Sequence, residues 1–212
     1  MGKRQEESLR TRQKLIDAIK ALKKEKEYRD IRIEEITEKA EVAKGTFYVY
    51  FKRKEDLIAA AAYDRFDIFK QESLEEAGGI EAQIGSFLQK STDLIEKESL
   101  EMAQQWLRSG VAPLEKDSLV SEKLRYDRGV IEEYIRYAID ASVLCKSTPI
   151  EKLSLQIVSQ YYGTLCLWCI SDGKISMKQL IDEFCSGHLA KFFEEYKQTN
   201  DKKDGRKRKK AE

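Results

Sequence analysis

Large apolar residues recur along most of the chain at three- and four-residue intervals, the spacing of helices that bury one face. Leu15, Ile16, Ile19 and Leu22 fall on one stripe while Arg12, Lys14, Lys20 and Lys23 lie off it, which predicts a first helix over 8–24. Tyr28 and Ile31 then return to the core. Ile36 and Ala40 mark a short second helix over 33–40, and Phe47 and Phe51 a short third over 44–51, joined by Glu41, Val42 and Ala43. A long fourth helix runs from Lys54 through Leu57, Ile58, Ala61, Ala62, Phe66 and Phe69 to a stop near Gly78 and Gly79. Further periods predict helices over 80–97, 100–108, 119–144, 150–171 and 177–196, the last capped by Ser176. With only two prolines, Pro113 and Pro149, the reading is all-α with about nine helices. One β-prone window, 46–51, sits inside the third helix, so propensity and period disagree there. No fixed-period repeat appears, which argues against a solenoid.

Composition narrows the class. The 212 residues carry 39 Lys+Arg and 38 Asp+Glu, enough chain for one or two small domains. The apolar runs at 57–63 and 161–170 fall short of the roughly 18–20 residues a membrane span needs, so no membrane partner is expected. The opening residues 1–12 are polar and run into periodic helix without the pattern of a leader, so the expected location is cytoplasmic. The charge is unevenly spread: +4 over residues 1–56, −8 over 57–196 and +5 over 197–212. A basic head on an acidic body is the layout of an anion-binding segment joined to a differently employed one. The end of the chain, 198–212, has no large apolar residue and five consecutive basic residues at 206–210, and is expected to be a disordered basic tail.

The two brief helices joined by three residues have the proportions of a helix-turn-helix unit. Within it Ala43-Lys44-Gly45-Thr46-Phe47-Tyr48, Tyr50-Phe51 and Lys54-Glu55-Asp56-Leu57 resemble the DNA-binding head of tetracycline-repressor-like (TetR-family) transcriptional regulators. The resemblance covers about a quarter of the chain. It implies a three-helix DNA-binding domain over 1–53, a helical ligand-binding and dimerisation domain over 54–197, and DNA contacts from Arg32, Ala43, Lys44, Gly45, Thr46, Tyr48, Val49, Tyr50 and Lys54. The residue types suit that role. Glycine at 45 lets the helix start come close to a phosphate or base, Lys44 adds charge, Tyr48 and Tyr50 offer phenolic donors, and Thr46 offers a hydroxyl and a methyl. Lys54 would clamp a phosphate, and Lys3, Arg4 and Arg10 form a basic arm. Phe47 and Phe51 are core anchors. Glu41 stands where the family often has glycine, so the turn either takes a positive φ at a cost of about 1 kcal/mol or changes shape. Arg32 replaces the usual Ser/Thr cap of the second helix and Glu27 a common glycine.

A short recognition helix reads few base pairs, so a homodimer on a partly palindromic double-stranded DNA operator is expected. The eighth and ninth helices are the predicted interface, through Leu153, Ile157, Tyr161, Leu165, Trp168, Leu180, Ile181 and Phe184. A small-molecule inducer is expected in a cavity lined by Met102, Trp106, Tyr126, Tyr134, Tyr137 and Tyr162. The cysteines, Cys145, Cys166, Cys169 and Cys185, read as free buried thiols rather than metal ligands, with His188 the sole histidine. A redox role through the dimer helices stays open. No catalytic constellation, phosphate loop, metal site or cofactor motif is recognised, so no enzyme, metal or cofactor is expected. The expected function is a ligand-responsive DNA-binding regulator, most simply a repressor; the alternative is a helical protein–protein adaptor with a degenerate head.

Overall fold

The computed structural model describes residues 3–111 and 119–198, and the side chains of all of these except 3, 28, 59, 109–111 and 119–121. The expected roles of the Tyr28 and Lys3 side chains, the linker around Pro113 and the basic tail from residue 199 lie outside the described residues. The described chain is all-helical: α1 Lys3–Leu22, α2 Ile33–Lys39, α3 Lys44–Tyr50, α4 Lys54–Leu74, α5 Ile80–Glu98, α6 Leu100–Val111, α7 Leu119–Asp140, α8 Ile150–Ile170 and α9 Met177–Gly187. Short 3-10 turns follow at Leu189–Phe192 and Glu194–Tyr196, where a longer ninth helix was expected. An isolated antiparallel bridge joins Leu144 to Lys197, and there is no strand among the described residues. No helix among them is long and apolar enough to cross a membrane.

The described residues form two compact units, 3–68 with 101–111 and 119–121, and 69–100 with 122–198. The first unit takes in more than the head, adding most of α4 and nearly all of α6. Its core joins Leu15, Ile16, Ile19 and Leu22 of α1 to Ile31, Ile36, Ala40, Phe47, Phe51, Leu57 and Ile58, all buried. Phe47 on α3 and Phe51, the extended residue that ends it, lie four positions apart with ring centroids 6.0 Å from each other. This anchoring explains why the β-prone window is helical: two buried aromatics at i, i+4 favour the period that buries both.

The turn between α2 and α3 closes with Ala40 N–H donating to the Ile36 carbonyl at 2.9 Å and Val42 N–H to the Thr37 carbonyl at 3.0 Å. Glu41 adopts φ +56, so the chain keeps the left-handed turn at a non-glycine residue and bears a cost of about 1 kcal/mol. Arg32 precedes α2 in extended conformation, and its guanidinium has no acceptor with which to cap the helix. The Glu35 carboxylate instead accepts from the Arg32 backbone N–H at 2.9 Å. At the start of α4, Asp56 accepts from the Arg53 N–H at 3.1 Å.

In the second unit α5, α7, α8 and α9 share one core of Ile84, Phe87, Leu88, Ile131, Tyr134, Ile135, Ile157, Tyr161, Leu165, Ile181 and Phe184, with Leu189 and Phe193 from the closing turns. Helix α4 stops at Leu74 rather than at the glycine pair, and Gly78 and Gly79 serve α5 instead, with φ +116 and +83 just before its first turn. Ser176 caps α9 by accepting from the Gln179 N–H at 3.1 Å. Gln89 donates to Asp182 at 2.7 Å and the Lys178 amine to Asp93 at 2.5 Å, tying α5 to α9.

Candidate nucleic-acid interface and the core of the second unit

With Phe47 pointing inward, the opposite side of α3 faces solvent. Lys44 and Gly45 are exposed, Tyr48 is 51% exposed and Val49 76%. A Cβ on Gly45 would meet no atom within 4 Å, so nothing inside the chain requires glycine there. Ala43 and Arg32 are also exposed, and Thr46 is half-buried. The structure therefore brings six predicted residues, Arg32, Ala43, Lys44, Gly45, Tyr48 and Val49, to the surface of the α2–α3 unit.

Two others are placed differently. Tyr50 is half-buried and packs against the head core. The Lys54 amine donates to the Ile31 carbonyl at 2.7 Å, holding the start of α4 to the segment before α2, and partial burial pulls its pKa down. The cations of this face are also locally compensated. Lys44 pairs with Glu34 of α2 at 2.5 Å, Lys39 with Glu25 at 2.8 Å, and Lys26 with Glu35. The hydrogen bond with its partner raises the pKa of Lys44 and lowers that of Glu34. Both side chains of the Lys44–Glu34 pair are more than half exposed, so the pair is weak and open to exchange for a phosphate. Glu34 was not singled out from the sequence; acids opposite a basic residue across a helix-turn-helix turn are the signal that would have found it.

The ligand residues expected from the sequence are divided between the two units. Met102 and Trp106 belong to the first unit, where Met102 packs against the head core, and the four tyrosines belong to the second. Tyr137 is 57% exposed on α7, which corrects its expected cavity role. Tyr134 is fully buried, and its hydroxyl donates to the Lys70 carbonyl of α4 at 2.7 Å. Tyr126 and Tyr162 are half-buried beside a feature the sequence reading missed. Lys123 and Asp127, one turn apart on α7, form a buried ion pair, with the Lys123 amine 5.4 Å from the Tyr126 ring centroid. Tyr162 of α8 donates to the second Asp127 oxygen at 3.0 Å. The signal was available: the buried stripe Val130, Ile131, Tyr134, Ala138, run backwards by turns, meets Asp127 and then Lys123.

The expected dimer residues need the same correction. Leu153, Ile157, Tyr161, Leu165, Trp168, Ile181 and Phe184 are all buried within the single chain, and only Leu180 is half-buried. Their stripe faces the core of the second unit because α8 packs its most continuous apolar side inward. The outer side of α8 carries Leu155, Gly163, Leu167 and Ile170, the last 80% exposed, and a Cβ on Gly163 would meet nothing within 4 Å. The cysteines are free thiols; burial raises the pKa of Cys169 to about 11 and of Cys185 to about 12, while hydrogen bonding with Ser147 and Thr148 lowers that of Cys145. Among the described residues, no three His, Cys, Asp or Glu side chains are grouped to hold a metal ion.

A short helix anchored by two phenylalanines behind a tight turn has the architecture of a helix-turn-helix unit. Residues 15–61 match the profile of the bacterial regulatory proteins, tetR family. No curated protein matches the chain. Among solved structures, the fold is similar to the transcriptional regulator FadR from Bacillus subtilis in complex with stearoyl-CoA, at 20% identity over 82% of this chain and 95% of that one, with a TM-score of 0.56. It is also similar to FadR from Thermus thermophilus, a TetR-family repressor in complex with lauroyl-CoA, at 14% identity over 84% and 93%, with a TM-score of 0.63. A regulator from Rhodococcus sp. gives 17% identity over 84% and 95%, with a TM-score of 0.55.

Proposed function

We propose that this chain is a cytoplasmic, ligand-responsive transcriptional regulator that binds a two-fold-symmetric DNA operator as a homodimer, most simply as a repressor. The observation that carries the reading is the outer face of α3, where Lys44, Gly45, Tyr48 and Val49 are exposed and only the Tyr48 ring touches the core, edge-on to Phe47 at 5.3 Å. Exposed apolar and aromatic groups on a seven-residue helix offer contact area to a partner, and a major groove can cover such a helix. Val49 offers an apolar contact of the kind a thymine methyl accepts, and Lys44 exchanges Glu34 for a phosphate. Residues 1–53 act as the DNA-binding head and 54–197 as the regulatory and dimerising part.

The homodimer is proposed through the outer side of α8, where Leu155, Leu167 and Ile170 are exposed and Gly163 permits close approach. Regulation is proposed to run through α4, which begins at Lys54 in the head and ends at Leu74 in the second unit. There α7 grips it twice, through the Tyr134 hydroxyl on the Lys70 carbonyl and through Glu133 on the Lys70 amine at 2.6 Å. A ligand that favours a shifted α7 would pull α4 with it, and only its differential affinity for the two arrangements can move the equilibrium. Stearoyl-CoA and lauroyl-CoA, held by two structural neighbours, are the first ligands to try.

The test is selection of bound duplexes from a randomised DNA pool by the full chain. The reading expects enrichment of a two-fold-symmetric site with half-sites about one or more helical turns apart. No enrichment across a range of salt concentrations would overturn it and favour the adaptor.

A further inference from the structure

A buried ion pair is a poor source of stability, because desolvating both charges costs about what their attraction returns. The Lys123–Asp127 pair lies on the inward stripe of α7, where apolar residues of similar size would serve packing as well. Both oxygens of Asp127 are engaged, one by Lys123 and the other by the Tyr162 hydroxyl. Beside them Tyr161, only 2% exposed, sets its ring 5.8 Å from that of Tyr162 in an edge-on arrangement. Its hydroxyl is buried and makes no hydrogen bond. A neighbouring hydroxyl, Thr92 of α5, gives its own hydrogen to the Leu88 carbonyl at 2.9 Å. Burial and the nearby Asp127 carboxylate both hold the phenol in its protonated, donating form.

An unpaired buried hydroxyl is costly, so this one is a vacant donor in an otherwise satisfied cluster. The charges around it already cancel. A ligand bringing a further charge would leave one uncompensated in the interior, whereas a neutral acceptor would complete the cluster. We infer that Tyr161, backed by Asp127, Lys123 and Tyr162, is the polar anchor of a ligand site in the second unit, taking the uncharged hydrogen-bond-accepting group (carbonyl or hydroxyl) of a largely apolar molecule. The apolar remainder would lie against the aromatic and aliphatic side chains of α5, α7 and α8. Entry has to part α7 from α8, which is the displacement of α7 that the regulatory reading needs. The inference rests on that reading and specifies the ligand's chemistry.

The experiment titrates the full-length wild type, Tyr161→Phe and Tyr137→Phe with decan-2-one, decan-1-ol, decanoate and decylamine by isothermal calorimetry. Removing a hydroxyl that has no partner leaves the fold intact, and a thermal melt of Tyr161→Phe without additive verifies this. Saturable binding of the ketone and the alcohol is expected, at least about tenfold tighter than either ion, and weakened about 5- to 10-fold by Tyr161→Phe for the ketone. Tyr137→Phe, at an exposed hydroxyl, should leave binding unchanged. Tighter binding of decanoate or decylamine, equal ketone binding by Tyr161→Phe and wild type, or no binding of any of the four would overturn the inference; in the last case an ordered water alone meets the hydroxyl. Duplex selection separates this from the broader reading: a symmetric site without ketone or alcohol binding discards the anchor and keeps the regulator, whereas no site discards the regulator.

Discussion

The head and the second unit use aromatic side chains in opposite ways. Along α3 and its closing residue, Phe47 and Phe51 are buried while Tyr48 is exposed between them, so one short segment both anchors itself and offers a surface. In the second unit Phe87, Tyr134, Tyr161 and Phe184 all turn inward, and Phe87 and Tyr134 meet edge-on with centroids 6.4 Å apart. A surface that meets a rigid external partner needs residues that folding does not use, and such residues stand out. A core that responds to a ligand is built from the same side chains as one that merely packs. What distinguishes it is the polar exception, here Lys123, Asp127 and the unpaired Tyr161 hydroxyl.

The contrast breaks most easily at adjacent positions of α3. Phe47→Ala should cost about 3–5 kcal/mol of stability in urea denaturation, because it empties a fully buried site. Val49→Ala, two residues on, should change stability by no more than about 0.5 kcal/mol; similar losses at both would erase the division between anchoring and presenting residues. In the second unit, Tyr134→Phe should lower stability by about 1 kcal/mol by removing the hydrogen bond to the Lys70 carbonyl, and an unchanged unfolding midpoint would show that the grip on α4 is idle. An opposite sign is expected at the turn. Glu41→Gly should stabilise by about 1 kcal/mol, since residue 41 holds φ +56, and a loss there would mean that the exposed contact with Lys14 at 3.7 Å outweighs backbone strain. The smallest effect concerns charge. Glu34→Gln frees Lys44 and should steepen the dependence of log K for DNA on log salt by about one at most; an unchanged slope would place Lys44 away from phosphate.

Much of the fold was legible. The apolar periods placed all nine α-helices of the described residues, and the motif from Ala43 to Leu57 marked the turn and the anchors correctly because both depend on local spacing. Helix ends were less so: α9 breaks after Gly187 into 3-10 turns, since Leu189 and Phe193 must both reach the core of the second unit. The long apolar stripe of α8 was readable as buried, but not by what. Ile157 and Leu165 are covered within the same chain, and the outer residues Leu167 and Ile170 look no different in sequence. For Lys54, motif position suggested phosphate, whereas the fold gives its amine the Ile31 carbonyl, a partner 23 residues away that no local pattern announces.

The central claim is that the outer face of α3 reads DNA. Its most direct measurement is fluorescence anisotropy of the selected duplex and a scrambled one, at one salt concentration, with wild type and a Lys44→Ala, Tyr48→Ala double variant whose thermal melt matches wild type. The account predicts roughly a thousandfold preference of wild type for the selected duplex and its collapse toward equal binding in the variant. Full preference retained by the variant, or equal affinity of wild type for both duplexes, would contradict it.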